Sequence, residues 1–198
     1  MSEPAIALLE FDSISAGIVA SDAMVKNSPV GAIYAGTVHP GKFLVLVSGD
    51  TASVEIALET GSEVGSPHLA DSVFLPDIHP EVSRAIVGSK GSGSPRGEAL
   101  GIVETSTVAA AIDAADAGVK AADVDVSALR LADGLGGKGY VLFSGPVSEV
   151  EASVEAAVAR AELHDSLIRS DVVAQLHEEI AVHLAAQPRF MELVKGSA

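Results

Sequence analysis

The sequence predicts an α/β protein of the mixed α+β kind, in which one β-α-β-β-α-β domain occurs twice in tandem. The repeat is the first observation behind this reading. Ala5-Ile-Ala-Leu-Leu-Glu10 returns as Ala99-Leu-Gly-Ile-Val-Glu104, and Ile18-Val-Ala-Ser-Asp22-Ala-Met-Val-Lys26 returns as Ile112-Asp-Ala-Ala-Asp116-Ala-Gly-Val-Lys120, both at an offset of 94. After a two-residue insertion the match resumes with Gly41-Lys42 against Gly137-Lys138, Ser48-Gly49 against Ser144-Gly145 and Val54-Glu55 against Val150-Glu151. Composition bias alone does not preserve such order. The second observation is Gly88-Ser-Lys-Gly-Ser-Gly-Ser-Pro-Arg-Gly97, a solvated stretch with nothing to bury. It divides the chain into a first domain over 1–88, a linker over 89–97, and a second domain with a C-terminal helix over 98–198. The third is composition: 48% hydrophobic but only 4% aromatic. The cores must therefore be built from Ala, Val, Ile and Leu, which suit close helix-on-sheet packing.

The elements follow in order. Ala5 to Phe11 is a short apolar strand, and Ser13 caps a helix in which Ile14, Ile18 and Val25 share a face, ending near Asn27 and Pro29. Val30 to Val38 and Phe43 to Ser48 are β-rich runs joined by the tight turn His39-Pro-Gly-Lys42, a hairpin. Asp50 opens a second helix through Leu58, closed by Gly61, and Ser72 to Leu75 is a last short strand. This order is the ferredoxin-like arrangement. The second copy places strands near Ala99 to Thr105, Val126 to Asp133 and Tyr140 to Ser144, and helices near Ser106 to Ala122 and Val147 to Leu163. A C-terminal helix is expected over roughly Asp171 to Ala186.

Charge and composition exclude whole classes of function. A net charge of -15 repels a polyphosphate backbone, so nucleic acid is not an expected partner. The first basic residue is Lys26 and no apolar run nears the roughly 20 residues that span a bilayer. The chain reads as cytoplasmic, with no membrane partner. With no Cys, disulfides, thiolate-bound zinc, iron-sulfur clusters and cysteine nucleophiles are all excluded.

Several segments imitate catalytic motifs and fail on physical grounds. Gly36-Thr-Val-His-Pro-Gly41-Lys42-Phe43 has Walker A spacing, but Phe43 replaces the magnesium-binding hydroxyl, Pro40 has no N–H, and a strand follows where a helix N-terminus is needed. Gly134-Leu-Gly136-Gly-Lys-Gly139 spells GxGxxG, yet it too leads into a strand. His177 and His183 are six residues apart, whereas a helical zinc site needs its two His four apart. No catalytic residue, resident metal or cofactor is assigned. His39 stands at a hairpin tip, either as a simple turn residue or as a side chain presented to an oligomer axis. His68, His79 and His164 have no recognisable partner spacing and receive no role. Lys26 and Lys120 end equivalent helices, where a cation complements the helix dipole; a lateral-contact role is the competing reading.

Taken together, the opening strand ending in Glu104, the Asp116-x-x-x-Lys120 helix end and the hairpin ending in Gly137-Lys138, present in both copies, resemble the bacterial microcompartment shell domain. The resemblance runs from about Ala5 to Ile180 and is of the non-permuted tandem class. Val38-His39-Pro-Gly-Lys-Phe43 and Leu75-Pro-Asp-Ile-His79 are most similar to the trimeric shell proteins of propanediol-utilization compartments. It implies a homotrimer imitating a hexagonal tile, a location in a cytoplasmic microcompartment shell, and edge-to-edge packing against other shell proteins. It places Val38, His39, Pro40 and Gly41, alternating with Gly134, Leu135, Gly136 and Gly137, around a central pore for small metabolites. It places Lys26 and Lys120, with Asp22 and Asp116, at the tile edges. Such relatives hold an iron-sulfur cluster through a Cys where His39 stands here, so the cluster is not expected, while three His39 rings could gate the pore, bind a metal weakly or simply line it. The segment Arg169 to His177 departs from the family's usual basic, Pro-containing pattern. The other reading is a ferredoxin-like regulatory module that binds a small effector between its repeats.

Overall fold

A computed structural model describes residues 5–87 and 98–186. The linker expected over 89–97 lies outside the described residues, as do both ends of the expected domains. The first copy comprises β1 (Ala5–Phe11), α1 (Ile14–Asn27), β2 (Ala32–Val38), β3 (Lys42–Gly49), α2 (Thr51–Gly65), β4 (Leu69–Leu75) and α3 (Pro80–Ile86). The second comprises β5 (Ala99–Thr105), α4 (Val108–Ala121), β6 (Asp125–Leu131), β7 (Gly139–Gly145), α5 (Val147–Leu163), β8 (Leu167–Val173) and α6 (Glu178–Ala186). Each copy forms an antiparallel sheet, ordered β2-β3-β1-β4 in the first and β6-β7-β5-β8 in the second.

Local sequence explains the helix starts. Ser13, Asp50 and Thr107 are extended residues whose side chains accept from the backbone N–H groups of Ala16, Ser53 and Ala110, satisfying donors that have no intrahelical partner. At α5 the cap position is Pro146 and the side-chain bond is absent.

Three expectations are corrected. The run over Asp171 to Ala186 is not one helix: Leu167–Val173 is an edge strand that pairs with β5, and the helix begins only at Glu178. Arg169 and Asp171 broke the apolar alternation, as charged residues on edge strands do, while the open side of β5 still had to be paired. Helix α2 passes through Gly61 to Gly65, because a Cβ at Gly61 would sit 2.7 Å from Met24 Sδ and 2.8 Å from Leu9 Cδ2. That glycine serves close packing rather than helix termination. Helix α3 was not foreseen at all; it is a short helix of about two turns opened by Pro80 and capped by His79.

The apolar face of α1 is a further departure. Ile14, Ile18 and Val25 are exposed, and the helix turns Gly17, Ala20 and Met24 inward instead. Its equivalent α4 differs sharply: Val108, Ala109, Ala110, Ala111, Ile112 and Ala115 are wholly buried. The difference lies in what covers them. Helix α4 is enclosed between its own sheet and the first copy's sheet, so that Ile6, Leu8, Leu46, Val73 and Leu75 share one core with Val108 and Ile112. Small alanines permit this double packing. A separate core beneath α1 and α2 holds Leu9, Phe11, Met24, Val45 and Val54.

Candidate functional site

The hairpin tips of the two copies meet. The β2–β3 tip carries exposed His39, Pro40 and Gly41, preceded by half-buried Val38. The β6–β7 loop turns through Ala132, Gly134, Gly136 and Gly137, all with positive φ. His39 donates its backbone N–H to Asp133 Oδ1 at 3.4 Å, and its ring Nδ1 lies 3.6 Å from the same oxygen. Gly137 packs against the opposite tip so closely that a Cβ would stand 2.9 Å from Pro40 Cδ. Only glycine fits there, on both its φ of +87° and its contacts. The loop is less open than its glycines suggested, since the N–H groups of Leu135 and Lys138 donate to Ala132 O and Leu135 O.

Neither phosphate-loop imitation gains a helix: β3 follows Gly41 and β7 follows Lys138. Among the described residues, no three His, Asp or Glu side chains gather as a metal site would require, and His39 has only Asp133 beside it. His177 precedes α6 and accepts from Glu179 N, so it does not share a helical face with His183. No described helix is long and apolar enough to cross a membrane.

A second cluster joins the copies, and sequence spacing did not reveal it. Glu10 on β1 is completely buried; it pairs with Lys42 and accepts the Val108 N–H at 2.8 Å, the first free donor of α4. An anion at that position also faces the positive end of the helix dipole. Beside it, Asp71 on β4 accepts from Thr107 Oγ1 and from His164 Nδ1, the latter at 2.8 Å. The other His164 nitrogen meets Asp113 Oδ2 at 3.0 Å, and Arg160 reaches that carboxylate at 2.7 Å. Hydrogen bonds to Asp113 and Asp71 raise the His164 pKa from 6.5 to about 9. Burial pushes the Asp113 carboxyl up, but the bonds from His164 and Arg160 outweigh it and hold it below the usual range. His164 therefore has a structural role that its position, 93 residues from Asp71, could not announce.

The helix-end lysines occupy unequal settings. Lys26 pairs with Asp22 in solvent. Lys120 pairs with buried Asp116 and also donates to the Asp77 carbonyl of the first copy, while Asp116 accepts the His79 N–H at 2.7 Å. Asp116 and Lys120 thus close the copy-to-copy junction, with Lys120 still part-exposed at its rim.

Comparison with known proteins gives a consistent result. The BMC domain family matches residues 5–78 and again 99–176. The chain is 40% identical to the bacterial microcompartment shell protein PduT of Citrobacter freundii over 89% of this chain and 95% of that protein. It is 35% identical to the major carboxysome shell protein CsoS1A of Halothiobacillus neapolitanus over 47% of this chain and 94% of that protein. The crystal structure of a microcompartment protein from Desulfitobacterium hafniense DCB matches with a TM-score of 0.76 at 36% identity, covering 90% of this chain and 98% of that one.

Proposed function

The chain belongs to the BMC domain family of microcompartment shell proteins, carrying the domain twice, and from that premise we propose that three copies close into a ring of six domains that forms one hexagonal shell tile. The tile has a structural role in the cytoplasm and performs no reaction of its own. It assembles edge to edge with other shell proteins, as its family does.

The observation that carries the ring is the contact of His39 with Asp133. These residues are repeat equivalents, separated by the same offset of 94 that relates the two copies. Two bodies related by a rotation bring equivalent points together only near the rotation axis, because the separation of such points grows with distance from it. The tips therefore belong near an axis. Three copies set alternating His39 and Gly134 to Gly137 tips around it, leaving a passage for small molecules lined by Val38, Pro40, Gly41 and Leu135. We assign Lys26 and Asp22, and the part-exposed Lys120 above Asp116, to the tile rim. Residues 1–88 and 98–198 serve as the two domains and 89–97 as their connection.

The regulatory-module reading needs a cleft between the copies, and that space is filled by the shared core of Ile6, Leu8, Val73, Val108 and Ile112. Electron-microscopic averages of the purified protein test the tile: a hexagonal outline with threefold symmetry and a central depression is expected. A compact particle without that symmetry contradicts it.

A further inference from the structure

The ring contains two kinds of junction, one within each chain and one between chains, and their chemistry differs in a way that chooses the partner. This inference rests on the ring reading above. Within the chain, Val108, Ile112 and Val119 of α4 are buried on the first copy's sheet. Their equivalents on α1, Ile14, Ile18 and Val25, are 42%, 52% and 43% exposed.

The surface that would receive α1 is only partly covered: Leu100 and Leu142 lie beneath Leu176 and Leu184, while Ile102 and Tyr140 beside them are half-buried. Leu100, Ile102, Tyr140 and Leu142, with Leu184 of α6, line an apolar groove on the second sheet. They occupy the positions of Ile6, Leu8, Leu44, Leu46 and Ile86, the first-copy residues that pack with α4 in one core. A helix with an exposed apolar face and a sheet face that α6 covers only in part are thus the counterparts of a pair already joined. On the ring reading, the occupant of the groove is α1 of a second copy. In that position Glu104, the equivalent of Glu10, would accept the N–H of Ile14, the equivalent of Val108.

The rims of the two junctions are not alike. Around α4 the rim is charged, through Asp71, His164, Asp113 and Arg160. At the matching positions the second junction carries Arg169 in place of Asp71, by strand register with Glu104 and Glu10. Ser66 takes the helix-cap position of His164. Val19 and Val64, both exposed, replace Asp113 and Arg160.

We propose that these four replacements form a pairing code, by which the second sheet accepts the first domain of another copy and refuses a second domain. Second-domain helices laid on the second sheet would set Arg169 against His164 and Arg160. First-domain helices laid on the first sheet would bury Asp71 opposite Ser66 and Val19 without its imidazole partner. Each wrong pairing takes from His164 or from Asp71 a partner that the within-chain junction supplies, and in the second-domain case adds the like charge of Arg169; rejection of this kind is how specificity is commonly built.

The test uses the full chain and sedimentation equilibrium over a dilution series. Val19→Asp places at the chain-to-chain junction the carboxylate of Asp113 without its partners. Val19 is 56% exposed in the single chain, so circular dichroism and melting of the dissociated protein should be unchanged. The wild-type chain is expected to sediment as a trimer, and Val19→Asp to dissociate at about 100-fold higher concentration. Adding Val64→Arg rebuilds the Asp113–Arg160 pairing and should recover about tenfold. A Val19→Asp trimer as resistant to dilution as wild type overturns the code while the ring stands. A wild-type chain that never forms a trimer overturns the ring, and the code with it.

Discussion

Glu10, on the central strand of the first copy, accepts the backbone N–H of Val108 at the opening of the second copy's helix, 2.8 Å away. The bond ties the two domains through a group that is entirely out of water and neutralised by Lys42. Removing one member of a buried charged pair commonly costs about 3 to 5 kcal/mol. Glu10→Ala should therefore lower the stability of the chain by about 3 kcal/mol in urea unfolding. Glu104→Ala, at a partly exposed pair with Lys138, should cost the single chain under about 1 kcal/mol and instead weaken association. Equal losses in chain stability from both substitutions would contradict the assignment.

His164 makes the junction sensitive to alkaline pH. Its folded pKa of about 9 lies above the unfolded value of 6.5. A raised pKa contributes stability that is complete below about 6.5 and is lost as pH rises through about 9. Wild-type melting temperature should fall between pH 7 and 10. His164→Ala should be less stable at pH 7, where Asp71 loses its ring donor, and should show a flatter profile over the same range. A parallel decline in both proteins would remove His164 from the account.

The fold was legible where residue order repeats, and the proposed site only where it lies on the repeat. The repeat disclosed both domains, cap chemistry disclosed Ser13 and Asp50, and the tight turn His39-Pro-Gly-Lys42 disclosed the first hairpin tip. Strand β8 was hidden because Arg169 and Asp171 interrupt its alternation. The apolar side of α1 suggested a buried face, yet in one chain it is outward. On the proposed ring, that pattern answers to a contact with another molecule rather than with its own sheet. His164 was hidden for a different reason: Asp71, Asp113 and Arg160 converge on it from three elements, and no local spacing marks such a meeting.

Gly137 and Gly41 separate strain from crowding at the tips. Gly41 has φ of +114° but open space around it, so Gly41→Ala should cost about 1 kcal/mol through backbone strain alone. Gly137→Ala meets Pro40 as well as an unfavourable φ and should cost about 2 to 3 kcal/mol. Thermal unfolding of the two variants measures the difference; equal effects would mean that the two tips do not press on each other.

Lys26 and Lys120 give a paired test of the rim. Lys26→Asp should leave ring formation intact and abolish sheets or incorporation into shells, since its present bond is only to solvent-exposed Asp22. Lys120→Asp should do the same and also destabilise the chain, because Lys120 holds Asp116 and the Asp77 carbonyl. Normal sheets from Lys26→Asp would place the rim elsewhere.

The ring of three is tested most directly by the mass of the purified protein in solution, measured by multi-angle light scattering. One chain weighs 20.0 kDa, and the expected result is a single species of about three times that mass, with larger sheets gathering as conditions favour edge contacts. A stable monomer or dimer at the same concentrations would contradict the ring, because neither can set three His39 tips around one axis.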